Sequence, residues 1–190
     1  MSRLFYARPA TQVAPDLIGK IIVKRFKRSI LRARIVETEA YVGTHDLACH
    51  ASKGRTRRTE VMFGPAGHAY VYFIYGMHEM FNIVTGAEGD AQAVLVRAAE
   101  PLDGWGADLS GPGKFARAMR ITRADNARDL TGEVLYLLDD HSPRPGIATS
   151  PRIGVAYAKH WADAPLRFFD SHSRAVSVPR ALRALTSQPA

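Results

Sequence analysis

Residues 35–50 hold the side chains of this sequence that are best suited to chemistry. Within sixteen residues the chain gathers carboxylate, aromatic and imidazole groups, namely Glu37, Glu39, Tyr41, His45, Asp46 and His50. Strand alternation predicts that Ile35, Glu37, Glu39 and Tyr41 share one face, where a simple core strand would carry aliphatic residues. A carboxylate that lines a pocket can orient and deprotonate a water. The stretch therefore predicts a pocket that binds a flat ring and activates a water.

Spacing alone does not distinguish the two glutamates. Glu37 and Glu39 are two residues apart on the same predicted face, so either could be the general base. The alternative is that both lie on a solvated sheet edge and pair with Arg32 or Arg34. Both interpretations stay open at this point.

The histidines of the following loop raise the question of a metal site. His45, Asp46 and His50 are suitable ligand types, but a metal site usually needs three or four ligands and a supporting shell. His68 and His78 are remote in sequence and would have to approach in space. A His50 that lines the pocket or is hydrogen-bonded fits better, and we expect neither a metal nor another cofactor.

An aromatic segment, residues 67–82, is the second notable feature. Tyr70 and Tyr72 share one face of a predicted strand, and Tyr75 stands beside Gly76 at its end. Aromatic rings interleaved with basic residues suit stacking on bases or wedging into a duplex. A single tyrosine is often a core residue that bonds through its hydroxyl, but a tyrosine beside a turn glycine is expected to project.

The charge of the chain predicts a polyanionic partner. The formal net charge is +8, the sequence pI is about 9.9, and 20 of the 26 basic residues are Arg. Arginine matches phosphate with a planar fork, although genomic base composition can also enrich it. We expect phosphate contacts from Arg55, Arg57 and Arg58 of one basic loop, and from Lys114 at the start of a predicted helix.

Composition also indicates the compartment. Cys49 is the single cysteine, so no disulfide can form within the chain, and a reducing compartment is expected. No run of about 18 apolar residues predicts a membrane span, and the N-terminus has no apolar signal segment. We expect a cytoplasmic protein, associated with the nucleoid if it is bacterial.

Hydrophobic periodicity predicts more strands than helices. Strands are expected at 20–26, 30–41, 69–75, 81–84, 92–98, 134–138 and 165–169, and helices at 9–18 and 114–121. Residues 139–150 are expected to form a surface loop. The pattern predicts an α+β domain with a mixed, largely antiparallel, curved sheet and peripheral helices.

Taken together, these segments resemble the alkyladenine (3-methyladenine) DNA glycosylase family. The matching blocks follow the family's order over roughly residues 16–170 and lie at 34–41, 46–50, 62–67, 70–82, 94–97, 100–102, 111–114 and 165–168. The resemblance implies one glycosylase domain over 1–190, with its core at about 16–170. The terminal dozen residues are expected to be frayed.

The resemblance implies a role for each matching position. Glu39 corresponds to the base that activates water, and Arg97 to a residue that helps to place the water. Tyr41, His50 and Tyr72 correspond to the walls of a pocket for a flipped base. Asn82 corresponds to the residue that screens against the amino group of guanine, and Tyr75 to the wedge that fills the vacated stack.

The implied activity is that of a monofunctional glycosylase in base excision repair. It would flip alkylated or deaminated purines out of damaged double-stranded DNA and leave an abasic site, acting as a monomer. No lysine lies in the pocket segments to form a Schiff base. Two other functions stay open: a non-catalytic nucleic-acid-binding module, and a metal-dependent nuclease that uses His45, Asp46 and His50.

Overall fold

One sheet of eight strands organises the described part of the chain, residues 1–143 and 145–177 of a computed structural model. The strands are β1 (Ile21–Arg25), β2 (Ile30–Tyr41), β3 (Ala69–Ile74), β4 (His78–Thr85), β5 (Gln92–Pro101), β6 (Leu135–Leu138), β7 (Ile147–Ser150) and β8 (Arg167–Asp170). Their order is β3-β4-β5-β2-β1-β6, while β8 pairs with β2 and β7. Every pair among these strands is antiparallel, and the sheet curls into a half-barrel.

Strand β2 is the centre of this sheet because it pairs with β1, β5 and β8. Its register against β5 shifts on both sides of Glu37, which marks a β-bulge. Ile35 therefore joins the main apolar core together with Ala40, although strict alternation would put them on opposite faces. The prediction that Ile35 shares a face with the glutamates is wrong, because the extra residue of the bulge resets the alternation.

Three α-helices flank the sheet in the described residues: α1 (Arg3–Tyr6), α2 (Ala10–Leu17) and α3 (Pro112–Ala118). Helix α2 buries Val13, Ala14 and Leu17, and its Ala14 carbonyl accepts a hydrogen bond from the Thr38 hydroxyl on β2 (2.9 Å). Helix α3 buries Phe115, whose ring packs 6.1 Å from that of Phe81 on β4. None of the helices described here is long and apolar enough to cross a membrane.

Most predicted elements are present, and the predicted α+β class with one largely antiparallel, curved sheet is confirmed. Strand β4 starts at His78 and not at residue 81, because its first residues pair with β3 while remaining partly exposed. Strand β7 lies inside the predicted surface loop 139–150, so that prediction is wrong there. Only Ser150 of this short strand is buried, so no hydrophobic alternation reveals it. The terminal dozen residues lie outside the described part.

A buried ion pair fastens the segment after α3 to β1. The Lys24 ammonium donates to Asp125 Oδ2 (2.5 Å) and to the Arg120 carbonyl (2.7 Å), and both charged side chains are almost completely buried. Asp125 Oδ2 also accepts the Thr122 amide (3.0 Å). Removing one member of a buried pair leaves the other charge uncompensated, which is strongly destabilising.

We therefore expect Asp125→Ala to lower the free energy of unfolding by roughly 3 kcal/mol or more, measured by urea denaturation. The control is Glu60→Ala, which breaks the exposed pair between Glu60 and Arg55 and should cost less than about 1 kcal/mol. Equal losses for the two variants would show that the Lys24–Asp125 pair does not stabilise this region.

Candidate active site

A cavity of about 310 Å³ opens beside the β3–β4 hairpin. Six residues to which the family resemblance assigns a role line it together: Tyr41, His50, Tyr72, Tyr75, Asn82 and Arg97. They come from β2, the loop after it, the hairpin and β5, so the sheet brings together residues that are far apart in the chain. The volume is at the small end of ligand sites and suits one flat ring system.

Glu39 lies directly behind the wall of this cavity and is fully buried. Its Oε1 accepts a hydrogen bond from the Ile153 amide (2.7 Å) and lies 3.3 Å from Arg97 Nη1, while its Oε2 accepts the Tyr41 hydroxyl (2.8 Å). All three partners line the cavity. Burial, and then the charge of Glu39, raise the pKa of Tyr41 well above its usual value, so Tyr41 is a donor to the carboxylate.

Glu37 is equally buried, but both of its carboxylate oxygens accept hydrogen bonds from other residues. Its Oε1 accepts from Arg97 Nε (3.1 Å), Arg167 Nε (2.6 Å) and the Ser177 hydroxyl (2.9 Å), and its Oε2 accepts the Ser177 amide (2.6 Å). This network separates the two glutamates that spacing leaves equivalent. Glu37 anchors structure, and Glu39 is the carboxylate next to the cavity.

The solvated-edge alternative for these glutamates is wrong. Arg32 pairs with Asp103, and Arg34 pairs with Asp140 at 2.7 Å. The bulged centre of β2 is buried by neighbouring elements. Glu37 and Glu39 are therefore not at the surface, where they could pair with Arg32 or Arg34.

Three rings in mutual contact form the aromatic wall, which we define as His50, Tyr70 and Tyr72. The ring centres of His50 and Tyr72 are 4.5 Å apart, those of Tyr70 and Tyr72 are 5.3 Å apart, and His50 Nδ1 lies 2.9 Å from the Tyr70 hydroxyl. Burial, and secondarily the charge of Arg58, lower the pKa of His50 to about 4. His50 is therefore neutral near pH 7.

Asn82 lies on β4, next to the aromatic wall, and lines the cavity. It is paired with Tyr70 across β3 and β4, and its side-chain amide donates to the Tyr70 carbonyl (3.1 Å). The residue is only 3% exposed. One hydrogen bond thus holds a buried polar side chain where it lines the cavity.

Tyr75 projects from the tip of the β3–β4 hairpin. It is 81% exposed and has φ +54°, followed by Gly76 at φ +67°, and the Met77 amide closes the turn on the Ile74 carbonyl (3.2 Å). The left-handed region costs an L-residue roughly 1–2 kcal/mol. Strain of this kind concentrates at functional sites, and here it holds an exposed ring at the mouth of the cavity.

The four predicted phosphate contacts differ in their surroundings. Arg55 forms a two-point ion pair with Glu60 (2.7 and 2.9 Å), and Lys114 pairs with Asp108 (2.7 Å). Arg57 is exposed. The guanidinium of Arg58 lies over the Tyr72 ring, 5.0 Å from its centre. A phosphate would therefore have to compete with carboxylates for two of these cations.

The loop histidines do not assemble a metal site. His45 packs against Trp161 (5.4 Å between ring centres), and the Asp46 oxygens accept from Arg152 (2.5 and 2.9 Å). Across residues 1–143 and 145–177, no three His, Cys, Asp or Glu side chains are grouped so that they could hold a metal ion. The alternative metal site at His45, Asp46 and His50 is therefore not formed.

Sequence reasoning missed several residues of the site. Arg152 is buried, donates to the Ala40 carbonyl and lies over the Tyr41 ring at 4.7 Å, and the neighbouring Ile153 amide binds Glu39 from 114 residues away. Arg167 and Ser177 hold Glu37. No local periodicity marks these positions, because their roles depend on partners that are distant in the chain.

Comparison with known proteins places the chain in a family. The family model for methylpurine-DNA glycosylase matches residues 4–174. A Myxococcus xanthus protein provisionally named a 3-methyladenine DNA glycosylase is 53% identical over 176 residues, which is 91% of each chain. A protein of the same provisional name from Legionella pneumophila (strain Lens) is 51% identical, over 89% of this chain and 93% of its own. Another from Methanocella arvoryzae is 46% identical, over 93% and 95%.

The matched region contains both glutamates, the aromatic wall, the hairpin tip and the Arg152 segment. Identity near 50% over almost the whole length of both chains establishes common ancestry without any appeal to fold. This chain belongs to the methylpurine-DNA glycosylase family.

Proposed function

We propose that this protein is a monofunctional DNA glycosylase of base excision repair, which flips alkylated or deaminated purines out of duplex DNA and hydrolyses their N-glycosidic bonds. The observation that carries this proposal is Glu39, a buried carboxylate held directly behind an aromatic cavity. The partner is damaged double-stranded DNA. The protein acts as a monomer on the DNA of the cytoplasm or nucleoid.

Recognition begins with extrusion of the damaged nucleotide, since a base inside the stack cannot be reached. Tyr75 fills the gap that the nucleotide leaves, and its 81% exposure fits this role. The extruded base lies among Tyr41, His50 and Tyr72, and Asn82 screens it against the exocyclic amino group of guanine. Neutral His50 adds no charge that would repel a cationic alkylated base.

The chemical step is hydrolysis at C1′ of the deoxyribose. Glu39 accepts a proton from water as the water oxygen bonds to C1′, while the C1′–N bond breaks and its electron pair leaves with the base. The carboxylate also stabilises the oxocarbenium character that develops on the sugar. Arg97 contacts both Glu37 and Glu39 and so fixes the carboxylate that places the water.

The product is an abasic site, because the described residues of the cavity offer no amine that could attack the sugar. None of the described residues that line it is a lysine, so a Schiff base has no nucleophile there. An alkylated base that already carries a positive charge departs as a neutral molecule. A neutral base such as hypoxanthine needs a proton from elsewhere as it leaves.

Duplexes that each carry one 3-methyladenine, hypoxanthine or ethenoadenine test the proposal directly. We expect enzyme-dependent abasic sites, with and without a chelator, and no strand scission until the abasic site is treated with alkali. Strand cleavage that a chelator abolishes would point to a nuclease. Tight binding of all three duplexes without base release would point to a binding module.

Substitution of the two glutamates is expected to have different effects, one on the rate of base release and the other on stability. Glu39→Gln should lower the rate of base release by about 10²–10⁴ while binding of damaged DNA is largely kept, because the amide matches the carboxylate in size but takes no proton. Glu37→Gln should instead lower the free energy of unfolding by roughly 3 kcal/mol, since Arg167 loses its buried counter-charge and Arg97 keeps only Glu39. The measurements are single-turnover kinetics and urea denaturation.

The comparison is made at equal folded fraction, with Glu37→Gln as the matched control. The folded Glu37→Gln protein should retain more turnover than Glu39→Gln. Equal losses of turnover would remove Glu39 as the general base.

Tyr75→Gly should separate DNA binding from stability. Loss of one base–aromatic stack should weaken binding of damaged duplex by about 1–3 kcal/mol. Stability should be unchanged or increased, because glycine adopts φ +54° without strain. Fluorescence anisotropy and urea denaturation measure the two effects. Leu4→Ala is the control for loss of an exposed apolar side chain, since Leu4 is 80% exposed and lies on α1. A large stability loss with normal binding would mark Tyr75 as a packing residue.

The pKa of His50 predicts how stability depends on pH. The native pKa of about 4 is below the usual 6.5, so between these values the unfolded chain binds a proton that the native protein does not. His50 therefore lowers the free energy of unfolding as pH falls from about 6.5 to about 4, and has no such effect above 6.5. His50→Gln should flatten the pH slope in this window, measured by urea denaturation. An unchanged slope would show that folding does not lower the pKa of His50.

A further inference from the structure

One cation of the loop between β2 and β3 lies against the aromatic wall. The guanidinium of Arg58 is 5.0 Å from the centre of the Tyr72 ring, and the Tyr72 ring is 4.5 Å from that of His50. Two arginines of the same loop differ from it. Arg55 is held by Glu60, and Arg57 makes no ring contact in the described part of the chain.

The buried charges around the cavity balance one another. Three carboxylates and three guanidiniums form ion pairs there, namely Glu37, Glu39 and Asp46 with Arg97, Arg152 and Arg167. Arg58 has no such partner, because no carboxylate among the described residues forms an ion pair with it. Arg58 is exposed, so the aromatic wall lies against one solvated positive charge that no carboxylate of the described residues pairs with.

The charge of Arg58 affects the pKa of two residues of the aromatic wall, His50 and Tyr70. After burial, Arg58 is the second cause that lowers the pKa of His50 to about 4. Burial raises the pKa of Tyr70 to about 12, and Arg58 opposes that rise. Both effects are those of a nearby cation, and they agree with the position of its guanidinium over Tyr72.

We infer that Arg58 determines specificity, its charge on Tyr72 favouring neutral damaged purines over cationic alkylated ones. This inference rests on the proposed function and gives Arg58 a role beyond the phosphate contact predicted from sequence. A base stacked on the face of Tyr72 away from Arg58 would lie farther from the guanidinium than the 5.0 Å to the ring centre, but still within reach of like-charge repulsion at a protein surface. A cationic alkylpurine is disfavoured by that repulsion, whereas neutral hypoxanthine is not.

The test compares the second-order rate constants for release of 3-methyladenine, which is cationic in DNA, and hypoxanthine, which is neutral. Neither base carries the amino group that Asn82 would screen. Arg58→Gln should raise the ratio of 3-methyladenine to hypoxanthine release by roughly threefold to thirtyfold relative to the wild type. Arg58→Lys keeps the charge and should retain the wild-type ratio.

Arg57→Gln is the matched control, because Arg57 lies in the same loop and the substitution removes the same charge. It should weaken binding of both duplexes alike and leave the ratio unchanged. Titration of His50 by NMR gives a second readout without DNA: its pKa should rise in Arg58→Gln and not in Arg57→Gln.

An unchanged ratio in Arg58→Gln, or an equal change in Arg57→Gln, would overturn the inference. So would an unaltered His50 titration in Arg58→Gln, because the guanidinium would then not act on the wall. Failure of the wild-type protein to release either base would contradict the proposed function, and the His50 titration would still report whether Arg58 acts on the aromatic wall.

Discussion

The rest of the site depends on the buried ion pair network around Arg97. Its guanidinium on β5 contacts both Glu37 and Glu39 of β2, and Arg167 of β8 completes the charge balance on Glu37. Charges removed from water are tolerated only when each is paired and hydrogen-bonded. The network therefore accepts little rearrangement, and it fixes the carboxylate of Glu39 against the cavity wall.

The same network explains why the last part of the described chain belongs to the site and not to the periphery. Arg167, Ser177 and the Ile153 amide all donate to the two glutamates, and each lies more than 100 residues further along the chain. The segment after β7 thereby lines the cavity, and β8 pairs with β2 along the two glutamates. The buried carboxylates of this network contrast with the exposed, strained Tyr75 turn at the mouth of the cavity. A fixed carboxylate and a projecting ring suit the base extrusion and hydrolysis that we propose.

Much of the fold followed from local patterns. The β1–β2 hairpin, the aromatic strand β3 and helix α3 were all predicted, because apolar periodicity and turn glycines act over a few residues. The projecting Tyr75 was predicted for the same reason. Strand β7 was missed because a short, mostly exposed strand leaves no such pattern. The bulge at Glu37 was missed because it is defined only against β5.

The sequence by itself determined which chemical groups are available: two carboxylates, an aromatic segment beside a turn glycine, and a basic surface with one cysteine. It also determined the family, through blocks that resemble known relatives in order. Only the tertiary structure decided that Glu37 is enclosed by Arg97, Arg167 and Ser177 while Glu39 faces the cavity wall. Spacing places both on one face, but burial and hydrogen bonding depend on partners that the chain brings together only when it folds.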